Sequence, residues 1–495
     1  MKIFAPLKRI FTRKSAAPQQ GAAYRHFNAA NVSRFTDWPL SYAKIDASLR
    51  LDYITMTLRA RDLAVNNEYV SGILHNLTRN VIGAEGFTLQ SKADDVTLRP
   101  EIERLWREYQ SRVGGFVTLD EHQSGRDFDA LVLRTLMIDG EVFIHRAFDA
   151  SSKFGYRYEV VDSLQIDTLY NVPDCGNGEK ISMGIRLDAR GRELAYYVRE
   201  TRYDYYMSGP RIEVSAEDML HIYRKQFPDQ SRGYSLFAPI ILNVNQLDGY
   251  KEAELVHARI QACTMAVWER NGQPTGDDFL DTTDEKGEFV REMKPGIFPV
   301  APQGYSAKFL QQSSPSNQFG TFWKNMLRSI SNALGISYNK AAGDYESVNY
   351  SSLREATLED RASFEEAQRF LIENWKGFQF GDFIRALAYR GFVPMAKLDD
   401  CLRHRFFGRR FPWVDPAKEI AAKAQEYDLL LTDPISELES RGQDPEEVIE
   451  RWKQWEAMVI KAGLPFMQKA PAPAAEPPED ENEQPQEEEN DRPQN

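Results

Sequence analysis

The sequence predicts an α+β chain, with helices at both ends of the folded part and an antiparallel sheet between them. Long stretches with apolar residues at helical spacing flank residues 141–223, where short β-forming runs alternate with turn residues. Those runs lie too close together for βαβ crossovers, which favours antiparallel meanders. Hydrophobic residues make up 42% and charged residues 27%, enough apolar material for a core. At roughly 150 residues per domain, 495 residues suggest about three domains.

Leu58, Leu63, Val70, Ile73, Leu74, Leu77 and Val81 fall on one face of a helix that Gly83 and Gly86 stop. A strand-like piece, Phe87–Gln90, precedes helices over Ile102–Tyr109 and Arg126–Asp139, the second ended by Gly140. Strand runs follow at Val142–Arg146, Tyr156–Asp167, Ile181–Leu187, Leu194–Val198 and Met219–Tyr223, with turns at Asn177-Gly178 and Arg190-Gly191. Ile240 to about Arg270 lacks proline and reads as one helix of about 45 Å, ended by Asn271-Gly272. Residues 271–316 are rich in Pro and Gly, with strand-like pieces at Gly296–Val300 and Ala307–Leu310. Phe319–Leu334 forms a second helix closed by Gly335, and Ser337–Ser352 a polar loop. Helices resume over Leu353–Phe378 and Phe380–Tyr389. After the basic stretch Cys401–Pro412 come helices at Pro416–Leu431 and Pro445–Lys461, each preceded by an Asp-Pro cap pair.

The formal net charge is −13, which argues against a protein that coats DNA through a broadly basic surface. Residues 1–36 carry +7 and residues 471–495 carry −8, leaving about −12 on the middle. The tail cannot bury enough apolar surface to fold and reads as disordered. The arm Met1–Lys14 lacks the apolar region of a secretory signal. Its Lys2, Lys8, Arg9, Arg13 and Lys14 suit nucleic acid, scaffold or coat, while Ile3, Phe4, Leu7, Ile10 and Phe11 equally suit an amphipathic membrane-surface helix. No run of 18 apolar residues occurs, so no stable membrane insertion is expected. Cys175, Cys263 and Cys401 are sparse and odd in number, which fits a reducing compartment.

The chain lacks GxxxxGK[ST], GxSxG and HExxH, and has no CxxC or HxxxH zinc spacing. Its GxG at Gly176-Asn-Gly178 reads as a turn, and Glu365-Glu366 and Glu446-Glu447 as solvated helix faces. No catalytic residue, metal ligand or cofactor is expected.

Five stretches resemble the lambda-like family of phage portal proteins. They are Arg59-Ala-Arg-Asp-Leu-Ala-Val-Asn-Asn-Glu-Tyr-Val with Asn80-Val-Ile-Gly, Asp139-Gly-Glu-Val-Phe, His221-Ile-Tyr-Arg to Gln230-Ser-Arg-Gly-Tyr-Ser, Asn349-Tyr-Ser-Ser-Leu-Arg, and Trp413-Val-Asp-Pro-Ala-Lys-Glu. They occur in the family's order. The resemblance implies a portal-type subunit with a wing of helices and antiparallel strands, a helical stem, a small α/β clip and a helical crown. By that analogy residues 1–36 are a flexible basic arm, in some relatives trimmed during maturation, and 37–238 the wing. Residues 239–270 and 317–336 are the two stem helices around a clip at 271–316. Residues 337–352 are a tunnel loop, 353–400 a wing helix and the helix after it, 401–470 the crown, and 471–495 the acidic tail.

The resemblance further implies a non-enzymatic homo-oligomeric ring, usually of twelve subunits, at one capsid vertex. Double-stranded DNA passes through it without sequence readout. Its partners would be the terminase large subunit, major capsid and scaffold proteins, and head-completion or connector proteins. Its place would be the virion, after assembly in the host cytoplasm. Asn339, Lys340, Asp344, Glu346 and Asn349 would line the channel, although Asn349 or Ser351 could equally cap the next helix. Asp277, Asp278, Glu285, Lys286 and Arg291 of the clip would face terminase or connector. Arg403, Arg405, Arg409 and Arg410, interleaved with Phe406, Phe407 and Phe411, are candidates either for DNA phosphate or for acids of a neighbouring subunit. Two rivals remain: a phage-encoded metal-dependent nuclease, and a minor capsid or scaffold protein without a channel.

Overall fold

The computed structural model describes residues 42–200, 209–263, 267–270, 305–308, 319–346, 348–412, 416–440, 443 and 445–462. The arm, the five clip candidates (Asp277, Asp278, Glu285, Lys286 and Arg291), Gly296–Val300, residues 413–415 of the fifth motif and the acidic tail lie outside them.

Helices α1 (Ile45–Asn66) and α2 (Glu68–Val81) replace the single helix expected from Leu58 to Val81. Asn67 separates them. Its backbone is extended (φ −99°, ψ 123°), and its side-chain oxygen accepts from the Val70 amide at 2.9 Å, capping α2. Apolar spacing runs through the break because both helices press on the same core. After α2 come β1 (Thr88–Ser91), α3 (Arg99–Gln110) and α4 (Gly125–Asp139). Ser124 caps α4, and Gly140 ends it with φ 88°.

The middle of the chain is antiparallel sheet. β2 (Glu141–Phe148), β3 (Tyr156–Val161) and β9 (Met219–Tyr223) form a three-stranded sheet in the order β3-β2-β9. β4 (Val172–Gly176), β5 (Glu179–Ser182), β6 (Ile185–Leu187), β7 (Glu193–Arg199) and β8 (Arg211–Ser215) follow one another in a five-stranded meander. The run expected to Asp167 stops at Val161, where Asp162 caps a short 3-10 turn. The run expected over Ile181–Leu187 is two strands, divided where Met183 and Gly184 take positive φ. The sequence reading missed β4 and β8. Both are edge strands: β4 (Val-Pro-Asp-Cys-Gly) carries no apolar alternation, and β8 alternates only Ile212 and Val214 over five residues, too short a run to stand out.

Helix α5 spans Ile241–Cys263, shorter than the stretch expected to Arg270. Val267–Arg270 is instead β10, paired antiparallel with β11 (Tyr305–Lys308). The pairing partner lies far along the chain, so local helix signals could not report it. Helix α6 (Phe319–Ala333) packs on α5 through Tyr250, whose ring lies 5.3 Å from Phe319 and 5.5 Å from Phe322. The polar loop contains a helical turn, α7 (Tyr338–Ala342), closed by Gly343.

Helix α8 (Tyr350–Leu371) runs through one π turn (Ile372–Lys376) into α9 (Gly377–Tyr389), where two separate helices were expected. The π turn buries Trp375 and Lys376 against Asp129 of α4. Next come α10 (Leu398–Cys401) and β12 (His404–Phe407). Residues 401–470 are therefore not wholly helical, because β12 pairs with β1 from Ser91↔His404 to Thr88↔Phe407. Helices α11 (Pro416–Asp428), α12 (Pro434–Ser440) and α13 (Pro445–Lys461) complete the described chain.

One core joins elements from both halves, with Leu74, Trp106, Phe128, Ile330, Trp375 and Phe383 all buried in it. Trp106 meets Phe380 and Phe383 edge-on at 5.6 and 5.1 Å. A smaller cluster, including Phe143, Ile185, Tyr196 and Met219, lies between the two sheets. Among the described residues no helix is long and apolar enough to cross a membrane.

Candidate functional site

Three of the family-like stretches meet in one buried ionic network. Glu141, the first residue of β2, accepts hydrogen bonds from Tyr53 Oη (2.5 Å), Arg232 Nε (2.7 Å), the Gly233 amide (2.8 Å) and His221 Nε2 (2.9 Å). Arg232 also donates to the carbonyls of Met183 and Ser163, at 2.9 and 3.1 Å. Its guanidinium lies 4.6 Å from the Tyr53 ring. The other His221 nitrogen, Nδ1, is 2.7 Å from Glu193 of β7. The imidazole stacks between Phe143 and Tyr223, at 4.2 and 4.4 Å. Nearby, Arg61 of α1 binds both Asp139 and Asp162. The network ties α1, the α4–β2 junction, both sheets and the 230–235 segment together.

Burial raises the cost of charge on Glu141, but Arg232 and the His221 hydrogen bond outweigh it and hold the carboxyl at about 2. Burial disfavours charge on His221 too, yet Glu193 and Glu141 raise its affinity for a proton. Two carboxylates facing both ring nitrogens require both to be donors, which makes His221 an imidazolium. The side chains of Glu141, His221 and Arg232 have no exposed surface. This carboxylate–histidine set therefore holds the fold together; it cannot meet a substrate.

The network sets a pH window. The proton affinity of His221 is above its ordinary 6.5, so its contribution is complete below pH 6.5 and is lost as pH rises beyond. Glu141 lies below its ordinary 4.5, so its contribution is complete above pH 4.5 and is lost as pH falls toward 2. Stability from this site is expected to be greatest between those values. Urea midpoints across pH 4–9 check it, and His221→Gln is expected to flatten the alkaline limb.

The candidate channel residues sit around α7. Lys340 pairs with Asp360 at 3.5 Å and lies 4.7 Å from the Phe364 ring. Asp344 accepts from Tyr338 Oη at 2.7 Å and pairs with Lys324 at 3.2 Å. Glu346 is 3.9 Å from Lys324 and largely exposed, and Asn339 is half-buried on α7. Asn349 accepts from the Ser352 amide at 2.8 Å and caps α8, one of the two alternatives its position allowed. Replacing Asn349 with alanine is expected to cost about 1 kcal/mol through the lost cap, read as a lower denaturation midpoint.

The structure separates the four candidate arginines. Arg403 pairs with Asp94 at 2.6 Å and stands apart. Arg405, Arg409 and Arg410 line a cleft of about 1070 Å³ between α8 and the 405–412 segment. Arg405 and Arg410 lie 5.0 and 5.3 Å from the Phe407 ring, and Arg409 donates to the Arg79 carbonyl at 2.6 Å. Arg361 and Arg369 of α8 join them, which the sequence reading missed. The signal was there: Arg361, Glu365, Arg369 and Glu373 recur every four residues and share one helix face. Among the described residues no cluster of three or more His, Cys, Asp or Glu could hold a metal ion.

Comparison with known proteins shows which family the chain resembles. The family described as "Phage portal protein, lambda family" matches residues 32–368. A "Probable portal protein" of Halomonas phage phiHAP-1 is 26% identical over 430 residues, covering 84% of this chain and 82% of that one. "Portal protein B" of Escherichia phage lambda is 21% identical, covering 86% and 88%. A chain from the solved structure "Neck of empty GTA particle computed with C6 symmetry" aligns with a TM-score of 0.43 and 12% identity, over 83% of this chain and 96% of that one. With the family match spanning more than half of its length, the chain belongs to the lambda family of phage portal proteins.

Proposed function

We propose that this chain assembles into a closed homo-oligomeric ring of twelve subunits at one capsid vertex, the channel for DNA packaging and ejection. The observation that carries the reading is the α5–α6 pair. These helices pack against each other and flank an inserted segment whose two ends are joined by the β10–β11 pair. In the proposed ring α5 and α6 are the stem and the segment between them is the clip. The clip faces the terminase large subunit during packaging and head-completion or connector proteins afterwards. The α1–α4 helices with the two sheets form the wing, α11–α13 the crown, and the turn around α7 the tunnel loop. Major capsid and scaffold proteins meet the ring during head assembly in the host cytoplasm.

The mechanism is geometric. Cyclic closure leaves an axial hole with no free edge. A net charge of −13 per chain, about −156 for twelve, gives DNA no general attraction to stall it. No bond is made or broken by this chain.

Negative-stain imaging of the purified full-length protein is the test. A ring with a central hole is expected. Monomers that cut DNA with magnesium would establish the nuclease instead, and assemblies without a hole the scaffold. Deleting residues 341–347 is expected to change the length of DNA packaged or retained; unchanged packaging removes the channel role of that turn.

A further inference from the structure

The arginine cleft carries a second reading, independent of whether the chain forms a ring. Five arginines line it, two from α8 and three from the 405–410 segment, against Glu365, Glu373 and Glu437. Its floor is apolar and aromatic, with buried Phe406 and Phe407 and half-buried Phe411. Arginines over aromatic rings suit an extended acidic peptide. Carboxylates take the guanidinium edges, and prolines keep the peptide extended along the cleft. A bare polyanion would use only the first of these features.

One segment of this chain has both properties. Residues 471–495 carry nine acids and one arginine, interspersed with prolines such as Pro477, Pro478 and Pro485. The chain passes the cleft shortly before that segment begins, because Glu437 of α12 is part of the lining. Helix α13 is about 25 Å long. Residues 463–470 lie between it and the tail and set an upper reach of about 27 Å, comparable with the helix. The tail can therefore fold back to the cleft it has just passed. Tethering of this kind gives an effective concentration on the order of millimolar, which favours the tail over any free competitor. The family match ends at residue 368, before both the 405–410 segment and the tail.

We propose that the acidic C-terminal tail of this chain docks in the cleft between α8 and the 405–412 segment, as a built-in polyanion that keeps DNA phosphates off its arginines.

The test uses the full-length chain and a fluorescein-labelled peptide of residues 471–495, read by anisotropy. In a tail-neutral version, the nine tail acids are replaced by Gln or Asn. The peptide is expected to bind the tail-neutral chain and to bind the unaltered chain about tenfold more weakly, since the tethered tail competes. Binding is expected to weaken with added salt. Arg369 and Arg405 are exposed. Arg369→Glu with Arg405→Glu in the tail-neutral chain is expected to abolish binding at an unchanged denaturation midpoint. A peptide of the same composition in scrambled order tests the contribution of proline spacing and is expected to bind more weakly. Equal binding to the unaltered and tail-neutral chains overturns the proposal, as does binding that survives the double reversal. If labelled duplex DNA binds the tail-neutral chain and the peptide does not, the cleft is a DNA site and the tail is not its occupant.

Discussion

Gly140→Ala is expected to leave the chain without a soluble folded form. Two independent penalties coincide there. The residue has φ 88°, which costs an L side chain about 1–2 kcal/mol. A Cβ would also lie 1.9 Å from the Tyr234 carbonyl carbon, which is backbone and cannot rotate away. The opposing segment is just as tight, since a Cβ on Gly233 would lie 2.2 Å from the Gly140 carbonyl oxygen. Relief requires separating the α4–β2 junction from the 230–235 segment, and with it the Glu141 network. Gly191→Ala is the control. Its φ is 81°, but nothing lies within 4 Å of the added carbon, so only the conformational cost of about 1–2 kcal/mol is expected. Soluble yield and size-exclusion profiles of the two variants separate close approach from backbone strain. Equal behaviour would show that the Gly140–Tyr234 contact is unimportant.

Arg232→Ala is expected to cost about 3–5 kcal/mol, the range for removing one partner of a buried ion pair. It would leave Glu141 buried with its charge uncompensated on that side, and the Met183 and Ser163 carbonyls without their donor. Arg232→Lys is expected to recover little, because one ammonium cannot reach all three acceptors that the planar guanidinium serves. Combining Arg232→Met with Glu141→Gln is expected to recover part of the loss by removing the stranded charge. Denaturant midpoints of the four chains, followed by tryptophan fluorescence, form the measurement. A loss below about 1 kcal/mol for Arg232→Ala would place the pair among ordinary surface interactions.

These expectations explain why the family-like stretches occur where they do. Asp139-Gly-Glu and Ser231-Arg-Gly lie more than ninety residues apart, yet their glycines touch backbone to backbone and their charged residues pair. Arg61, in the first stretch, closes on Asp139 in the second. Reading the stretches in order identified the family but said nothing of their mutual contact, since pairing across such distances has no local signature.

Much of the rest follows from local chemistry. Gly140, Gly335 and Gly343 end helices because glycine alone takes positive φ without cost. Asn349 starts one because its side chain serves an orphan amide. Asn177 and Gly178 both take positive φ and turn β4 back on β5. These signals span a few residues, so the sequence by itself determined the α+β class, the succession of helices around a central sheet and most helix ends. Its family-like stretches determined membership of the portal family. Only the tertiary structure decided that the first helix breaks at Asn67, that Val267–Arg270 is strand, that α8 continues into α9 through a π turn, and that β12 closes on β1. It alone brought Arg361 and Arg369 to Arg405, Arg409 and Arg410 while setting Arg403 aside. The physical reason is the same in each case: a strand needs a partner's backbone, and a cleft needs two walls. Those partners come from residues dozens to hundreds of positions away, where local propensity carries no information.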